Sequence, residues 1–208
     1  MSDTETESES EIETSVCTKE HCLYCFDVLN SHLTGEKFKK PTFPNKKYPL
    51  FVTWHKIYHG EEYLRGCIGN FNPMEVHQGL KRYALISALQ DSRFDPISKK
   101  ELPKLTCAVS LLYDFEEVDD IYDWEVGVHG IWIEFEDIDG EELTATYLPE
   151  VAEEQKWSKK KTIDSALRKG GYSGRKITEE YRQTIKLTRY KSDKKTVTYD
   201  EYMKYKEN

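Results

Sequence analysis

The chain has 208 residues, of which 38% are hydrophobic, with a formal net charge of −8 and five cysteines. That length suffices for one domain with a sizeable core or for two small lobes. No apolar run approaches the roughly 18 residues of a membrane span and no signal-peptide pattern is present, while an odd number of cysteines reads as reduced thiols, so the expectation is a soluble protein of the cytoplasm or nucleus with no membrane partner.

The charge is segregated. Residues 1–15 carry six acids and no base, which leaves about −2 on the remainder. With Ile12 as its one apolar residue after Met1, this stretch cannot offset the entropy of ordering it, and it is expected to be a disordered acidic tail ahead of a domain over 16–208. Residues 114–154 hold sixteen acids and no Lys or Arg, whereas 156–198 hold fourteen bases against four acids. Two such segments can neutralise each other by packing, or form separate patches, of which the basic one would suit nucleic acid or an acidic partner.

From Thr18 to Leu33, Cys22, Cys25, Phe26, Leu29 and Leu33 recur at helical spacing, predicting an amphipathic helix that Gly35 ends. The spacing puts both cysteines of the C-x-x-C at core positions. A zinc or redox site would need both thiolates turned to one centre with Cys17 or His21 brought round, and no second C-x-x-C exists, so neither metal nor cofactor is expected. Glu36 to Pro49 is a linker with five lysines and three prolines, held extended by the prolines. Phe51 to Tyr58 and the turn His59-Gly60-Glu61 predict a hairpin into Tyr63-Leu64-Arg65-Gly66-Cys67-Ile68-Gly69.

That last run concentrates the chemistry. Read with a period of 2, Leu64 and Ile68 share one face with Gly66, and Tyr63, Arg65 and Cys67 share the other. Gly66 and Gly69 allow a ligand or another backbone to come close. Asn72 as N-cap and Pro73 at the first helical position predict a helix start just after the strand, a geometry that favours anions. The same residues have a structural reading: a strand glycine marks a bulge, and a strand cysteine is a small buried hydrophobe.

Pro73 to Gln90 predicts a substantially buried helix through Val76, Leu80, Tyr83 and Ala84, closed by Asp91-Ser92-Arg93-Phe94. Asp91 and Arg93 can pair locally, or Arg93 can turn toward the signature strand so that two arginines and a thiol share a pocket suited to carboxylate or phosphate. Thr106 to Tyr113 reads as a central strand with Cys107 in the core. Ile131, Ile133 and Phe135 lead through Asp139-Gly140 into Leu143, Ala145 and Tyr147 as a hairpin, with Glu150 at its exit. Ser158 caps a helix that Gly170-Gly171 ends, Thr184 to Tyr190 is a strand, and Thr198-Tyr199-Asp200-Glu201 opens a short C-terminal helix. Strands and helices without a βαβ rhythm predict α+β, a mixed or antiparallel sheet with flanking helices in two lobes.

No P-loop, dinucleotide fingerprint, H-E-x-x-H or nucleophile elbow occurs. A covalent mechanism would need Cys67 as thiolate, an oxyanion donor from the backbone around Gly66 to Gly69, and a base, for which His129 between Gly127 and Gly130 is the candidate.

Leu64-Arg65-Gly66-Cys67-Ile68-Gly69 resembles the signature of the AMMECR-type domain family. The likeness continues through Ser87 to Phe94, Asp123 to Gly130, Ala145 to Ala152 and Leu167 to Tyr172, covering the chain from about Cys22 to its end, and Cys22 to Asp27 is similar to the eukaryotic branch. The resemblance implies the family's fold but brings no assigned reaction. It also implies a functional link to radical S-adenosylmethionine and Memo-type proteins, beside which prokaryotic relatives occur; the sequence lacks a C-x-x-x-C-x-x-C motif, so radical chemistry would belong to another chain.

Two functions are thus expected as alternatives. One is an enzyme or enzyme component binding a small anionic or nucleotide-like ligand in a cleft formed by Arg65, Gly66, Gly69, Asp91, Arg93 and Glu150, with Cys67 as nucleophile or redox group. The other is a noncatalytic regulatory module using the basic 156–198 segment for nucleic acid or a protein. A third reading makes the signature architectural, with Arg65 buried against Asp91 or Glu150.

Overall fold

A computed structural model describes residues 15–207, so the acidic tail apart from Ser15 lies outside the described residues. Helix α1 (Lys19–Thr34) buries Cys22, Cys25, Phe26 and Leu29, the face its spacing dictates, and Gly35 ends it at φ 80° with its amide on the Ser31 carbonyl. Strands β1 (Lys47–Tyr58) and β2 (Glu61–Glu75) form the expected hairpin. His59 and Gly60 take φ of 51° and 84°, the two-residue turn whose twist matches paired strands. Helix α2 (Val76–Leu89), a 3-10 helix (Lys99–Lys104), β3 (Leu105–Val118), β4 (Gly130–Glu136) and β5 (Glu142–Tyr147) follow. The chain ends through α3 (Pro149–Glu154), α4 (Lys159–Gly170), α5 (Glu179–Arg182), β6 (Lys186–Thr198) and α6 (Tyr199–Lys206).

The fold is α+β, with one six-stranded antiparallel sheet in the order β2-β1-β3-β6-β4-β5. The last strand lies in the middle. Its C-terminal half pairs with β3, from Thr106↔Thr198 to Tyr113↔Lys191, and its N-terminal half also pairs with β4, from Gly130↔Tyr190 to Glu134↔Lys186. β6 is longer than the run Thr184 to Tyr190 suggests, because its second half carries polar residues and only Val197 marks it as core-facing.

Two cores share this sheet, which is how the expected lobes are realised. The first packs Phe26 and Leu29 of α1, Leu80 and Ala84 of α2 and Tyr202 of α6 on Leu50, Val52, Trp54, Val109 and Leu111. Trp54 donates its indole N–H to the Ala84 carbonyl at 3.0 Å, so this large ring is buried with its polar atom satisfied. The second packs Ile163, Ala166 and Leu167 of α4 with Trp124 on Ile131, Ile133 and Leu187.

The helix expected from Pro73 begins at Val76. Met74 and Glu75 stay in β2, paired with Tyr48 and Lys47, and the Asn72 amide is held by Asn70 Oδ1 at 2.8 Å. Ladder pairing outweighs the Asn-Pro start signal, and the anion-favouring helix start directly after Gly69 does not form. The segregated charges pack together: Arg189 meets Glu116 at 2.7 Å and Asp123 at 3.1 Å, and Lys186 lies 3.9 Å from both Glu117 and Glu134.

Leu187 is fully buried in the second core on the strand both cores share. Leu187→Ala is expected to lower stability by about 2–5 kcal/mol in urea titration, with far-UV circular dichroism and tryptophan fluorescence still reporting one coincident transition. Separate transitions would show that the two cores unfold independently.

Candidate functional site

Phe71 of β2 touches Trp132 of β4, with ring centroids 5.4 Å apart, and Tyr190 of β6 at 5.9 Å. The first and fifth strands therefore approach each other and the sheet is curled. The concave face, opposite α1 and α2, is set by register: Thr53 pairs with both Cys67 and Ala108, Phe51 with Gly69 and Ser110, and Ser110 with Lys194. Ala108 and Ser110 form a buried floor, and Lys194 is exposed.

Cys67 is the one cysteine of the five that is not buried. Its sulfur accepts the Thr53 hydroxyl at 3.0 Å. Because β2 is an edge strand, the outward peptide groups of Cys67 need partners other than a strand. Asp91 Oδ2 accepts the Cys67 amide at 3.0 Å, and Arg93 Nη2 donates to the Cys67 carbonyl at 3.3 Å. Arg93 also grips Asp91 with two N–H groups at 2.9 and 2.7 Å, and these bonds, with the Cys67 amide, hold the Asp91 carboxyl well below the usual carboxylate range.

Arg65 is placed differently from the expectation. Trp54 pairs with Gly66 and His55 with Leu64, so Arg65 is the extra residue of a β-bulge. The alternation expected along Tyr63 to Gly69 therefore holds from Gly66 onward and inverts at Arg65, leaving Leu64 opposite His55 and apart from the face of Ile68. Arg65 is re-aimed to Glu101, with Nε to Oε1 at 3.0 Å and Nη2 to Oε2 at 3.3 Å, and to the Asp95 carbonyl at 2.6 Å. Its acidic partner is thus Glu101, neither Asp91 nor Glu150. Burial pushes the Glu101 carboxyl up, but bonds from Arg65, the Ser98 amide and Lys56 outweigh burial and bring it down to about 2.

The glycines admit protein. A Cβ on Gly66 would overlap the Ser87 carbonyl of α2, and one on Gly69 would overlap the Leu50 carbonyl and the Phe51 ring. Cys22, Cys25 and Cys107 are fully buried together, and burial pushes the Cys25 and Cys107 thiols up. Among the described residues, no group of three or more His, Cys, Asp or Glu side chains could hold a metal ion.

The model of the AMMECR1 family matches residues 22–195. The chain belongs to the AMMECR1 family. An uncharacterised protein of Arabidopsis thaliana is 50% identical over 189 residues, covering 90% of this chain and 88% of its own length. One from Schizosaccharomyces pombe is 39% identical, covering 89% and 95%. The crystal structure of an uncharacterised protein from Pyrococcus horikoshii has a TM-score of 0.64 at 22% identity, covering 86% of this chain and 89% of its own, and shows the same fold.

In this AMMECR1-family chain the remaining expected site residues lie on other elements. His129 immediately precedes β4, and its Nδ1 accepts the Glu125 amide at 3.0 Å. The neutral ring then carries its proton on Nε2 and presents a donor, so service as a base requires breaking that bond. Glu150 opens α3 near Tyr190, whose phenol is pushed up mainly by burial; the Tyr190 hydroxyl lies 2.9 Å from the Thr146 hydroxyl and donates to the Tyr147 carbonyl at 3.0 Å. Thr53 and Glu101 were not among the expected residues. The Ser98-Lys99-Lys100-Glu101 capping-box spacing carried a signal for Glu101, since Ser98 donates its amide to that carboxylate at 2.9 Å. Thr53 is found only through cross-strand register.

The Arg65–Glu101 pair is nearly buried, with side-chain exposures of 14% and 16%. Glu101→Gln should cost about 3 kcal/mol at neutral pH by leaving Arg65 uncompensated. The Glu101 carboxyl is depressed on folding, so its contribution is complete above the unfolded value of 4.5 and is lost as pH falls toward about 2. Urea unfolding at a series of pH values should therefore show the gap between wild type and Glu101→Gln closing below pH 4.5. A gap independent of pH would contradict the pairing. Gly66→Ala should destabilise by about 2 kcal/mol or more in the same titration, because strand and helix must separate to admit the methyl group.

Proposed function

We propose that the chain is an enzyme or enzyme component of the cytoplasm or nucleus that binds a small anionic or nucleotide-like ligand on the concave face of the sheet, beside Cys67. The reading rests on the surroundings of that thiol: it is part-exposed, it accepts the Thr53 hydroxyl at 3.0 Å, and the Arg93 guanidinium reaches the carbonyl of the same residue at 3.3 Å.

Arg93 spends two N–H groups on Asp91, yet its side chain is 55% exposed, so it can still meet an incoming carboxylate or phosphate. Lys194 faces the same concavity and makes no ion pair among the described residues. The Phe71 and Trp132 rings, in contact and tilted 53° to each other, offer an apolar end to the cleft. Cys67 then acts as nucleophile or redox group and Arg93 as anion anchor, while Arg65, Gly66, Gly69 and Asp91 hold the strand. Any link to Memo-type or radical S-adenosylmethionine proteins would bring its reaction from the partner.

Native protein treated with iodoacetamide and mapped by mass spectrometry is expected to be alkylated at Cys67 alone. The label should disappear in Cys67→Ser, form several-fold more slowly in Arg93→Ala, and be blocked by at least one member of a panel of nucleoside phosphates and small carboxylates. Alkylation of Cys67 only after unfolding would eliminate the thiol site.

A further inference from the structure

The lysine-rich linker between α1 and β1 passes the C-terminal helix α6 and leaves a groove of about 430 Å³ lined by Asp27, Lys37, Phe38, Lys39, Tyr205 and Lys206. The groove continues past Lys39 to Lys40 and Pro41. It lies on the helix-covered side of the first core, away from the concave face. Lys37, Lys39 and Lys40 are exposed, and their amines make no ion pair or hydrogen bond among the described residues. Lys206 is held at the groove wall by Glu36 at 2.7 Å. Of the acids on the wall, Asp27 accepts the Tyr202 hydroxyl at 2.9 Å, so one of its oxygens is committed to the protein, and Glu20 lines the continuation past Lys39. Two aromatic rings stand among the amines. Tyr205 is 49% exposed, and Phe38 is half-buried, braced edge-on against Tyr24 with centroids 5.8 Å apart.

We propose that this groove binds single-stranded nucleic acid, with the lysine amines on phosphates and the Tyr205 and Phe38 rings against bases. Lysine amines are compact point charges without the planar fork that selects one carboxylate geometry, so they suit a backbone whose phosphates vary in position. Their distribution along an extended segment matches a polymer better than a single small anion. The exposed Tyr205 ring, with the half-buried Phe38 ring beside it, supplies sequence-tolerant stacking, which an acidic peptide would leave unused. DNA and RNA share this chemistry.

The full chain is titrated against fluorescein-labelled oligo(dT) and oligo(U) of about 12 nucleotides, read by anisotropy at several salt concentrations. The three unpaired amines predict a log–log salt slope of about −2. The triple variant Lys37→Glu/Lys39→Glu/Lys40→Glu should weaken binding at least roughly 50-fold at low salt, whereas Lys159→Glu/Lys160→Glu/Lys161→Glu should leave it within about twofold. Tyr205→Ala should weaken it roughly tenfold with the slope unchanged. The tighter of the two oligomers identifies the source as DNA or RNA, and either supports the groove. No binding at roughly 50 mM salt, or affinity unmoved by the first triple variant, overturns the proposal. So does inorganic polyphosphate competing as well as the oligomers while Tyr205→Ala binds like wild type, which would mark a purely anionic partner. Unchanged circular dichroism melting of each variant keeps loss of binding separate from loss of fold.

Discussion

Strand β6 spends its backbone hydrogen bonds in two directions, on β3 along most of its length and on β4 over its first half. Without it, β3 and β4 would each present an open edge, Leu187 would leave the second core, and Val197 would leave the first. The two halves of the chain therefore become one sheet only when a segment near the C-terminus pairs between strands from both. Such non-local pairing is entropically slow to reach, and it couples the two cores once made. The curl of the sheet also depends on it. Tyr190 of β6 packs against Phe71 from the far edge and Phe115 from β3, at 5.9 and 5.0 Å, so the concave face closes around this strand.

On that face, charge has been placed mostly at the service of backbone. Asp91 and Arg93 supply to the outward edge of β2 the acceptor and donor that a seventh strand would have supplied. Arg65, displaced by the bulge, clamps the edge to the 3-10 helix through Glu101 and to the carbonyls of Asp95 and Pro96. Edge strands without such cover are templates for association. The consequence is that the signature offers fewer free groups than its composition promises, with Cys67 and part of Arg93 left part-exposed and Thr53 added from the neighbouring strand.

The same economy governs the segregated charges. The acidic 114–154 segment and the basic 156–198 segment meet across β3, β4 and β6 through Arg189 and Lys186, while within the basic segment Arg182 is buried against Asp164 at 2.7 and 2.9 Å. Bases used in this way are poor nucleic-acid ligands because their fields are already compensated at short range. Lys37, Lys39 and Lys40 of the linker make no ion pair among the described residues, which leaves a positive surface between α1 and β1.

The helices and hairpins were legible in the sequence because local rules fix them. The 3.6-residue recurrence of Cys22, Cys25, Phe26 and Leu29, the positive φ required at Gly35 and in His59-Gly60, and the Ser158 and Thr198 caps all act within a turn or two of chain. Those rules also placed the C-x-x-C cysteines in the core and gave the α+β class. The order of the sheet, the insertion of β6, the bulge that turns Arg65 away from Cys67 and the meeting of Thr53 with Cys67 are fixed by pairings between residues far apart in sequence. A local pattern reports which face a residue prefers. A single extra residue in a strand reverses that face, and only the partner strand, through its hydrogen-bond register, decides where the extra residue falls.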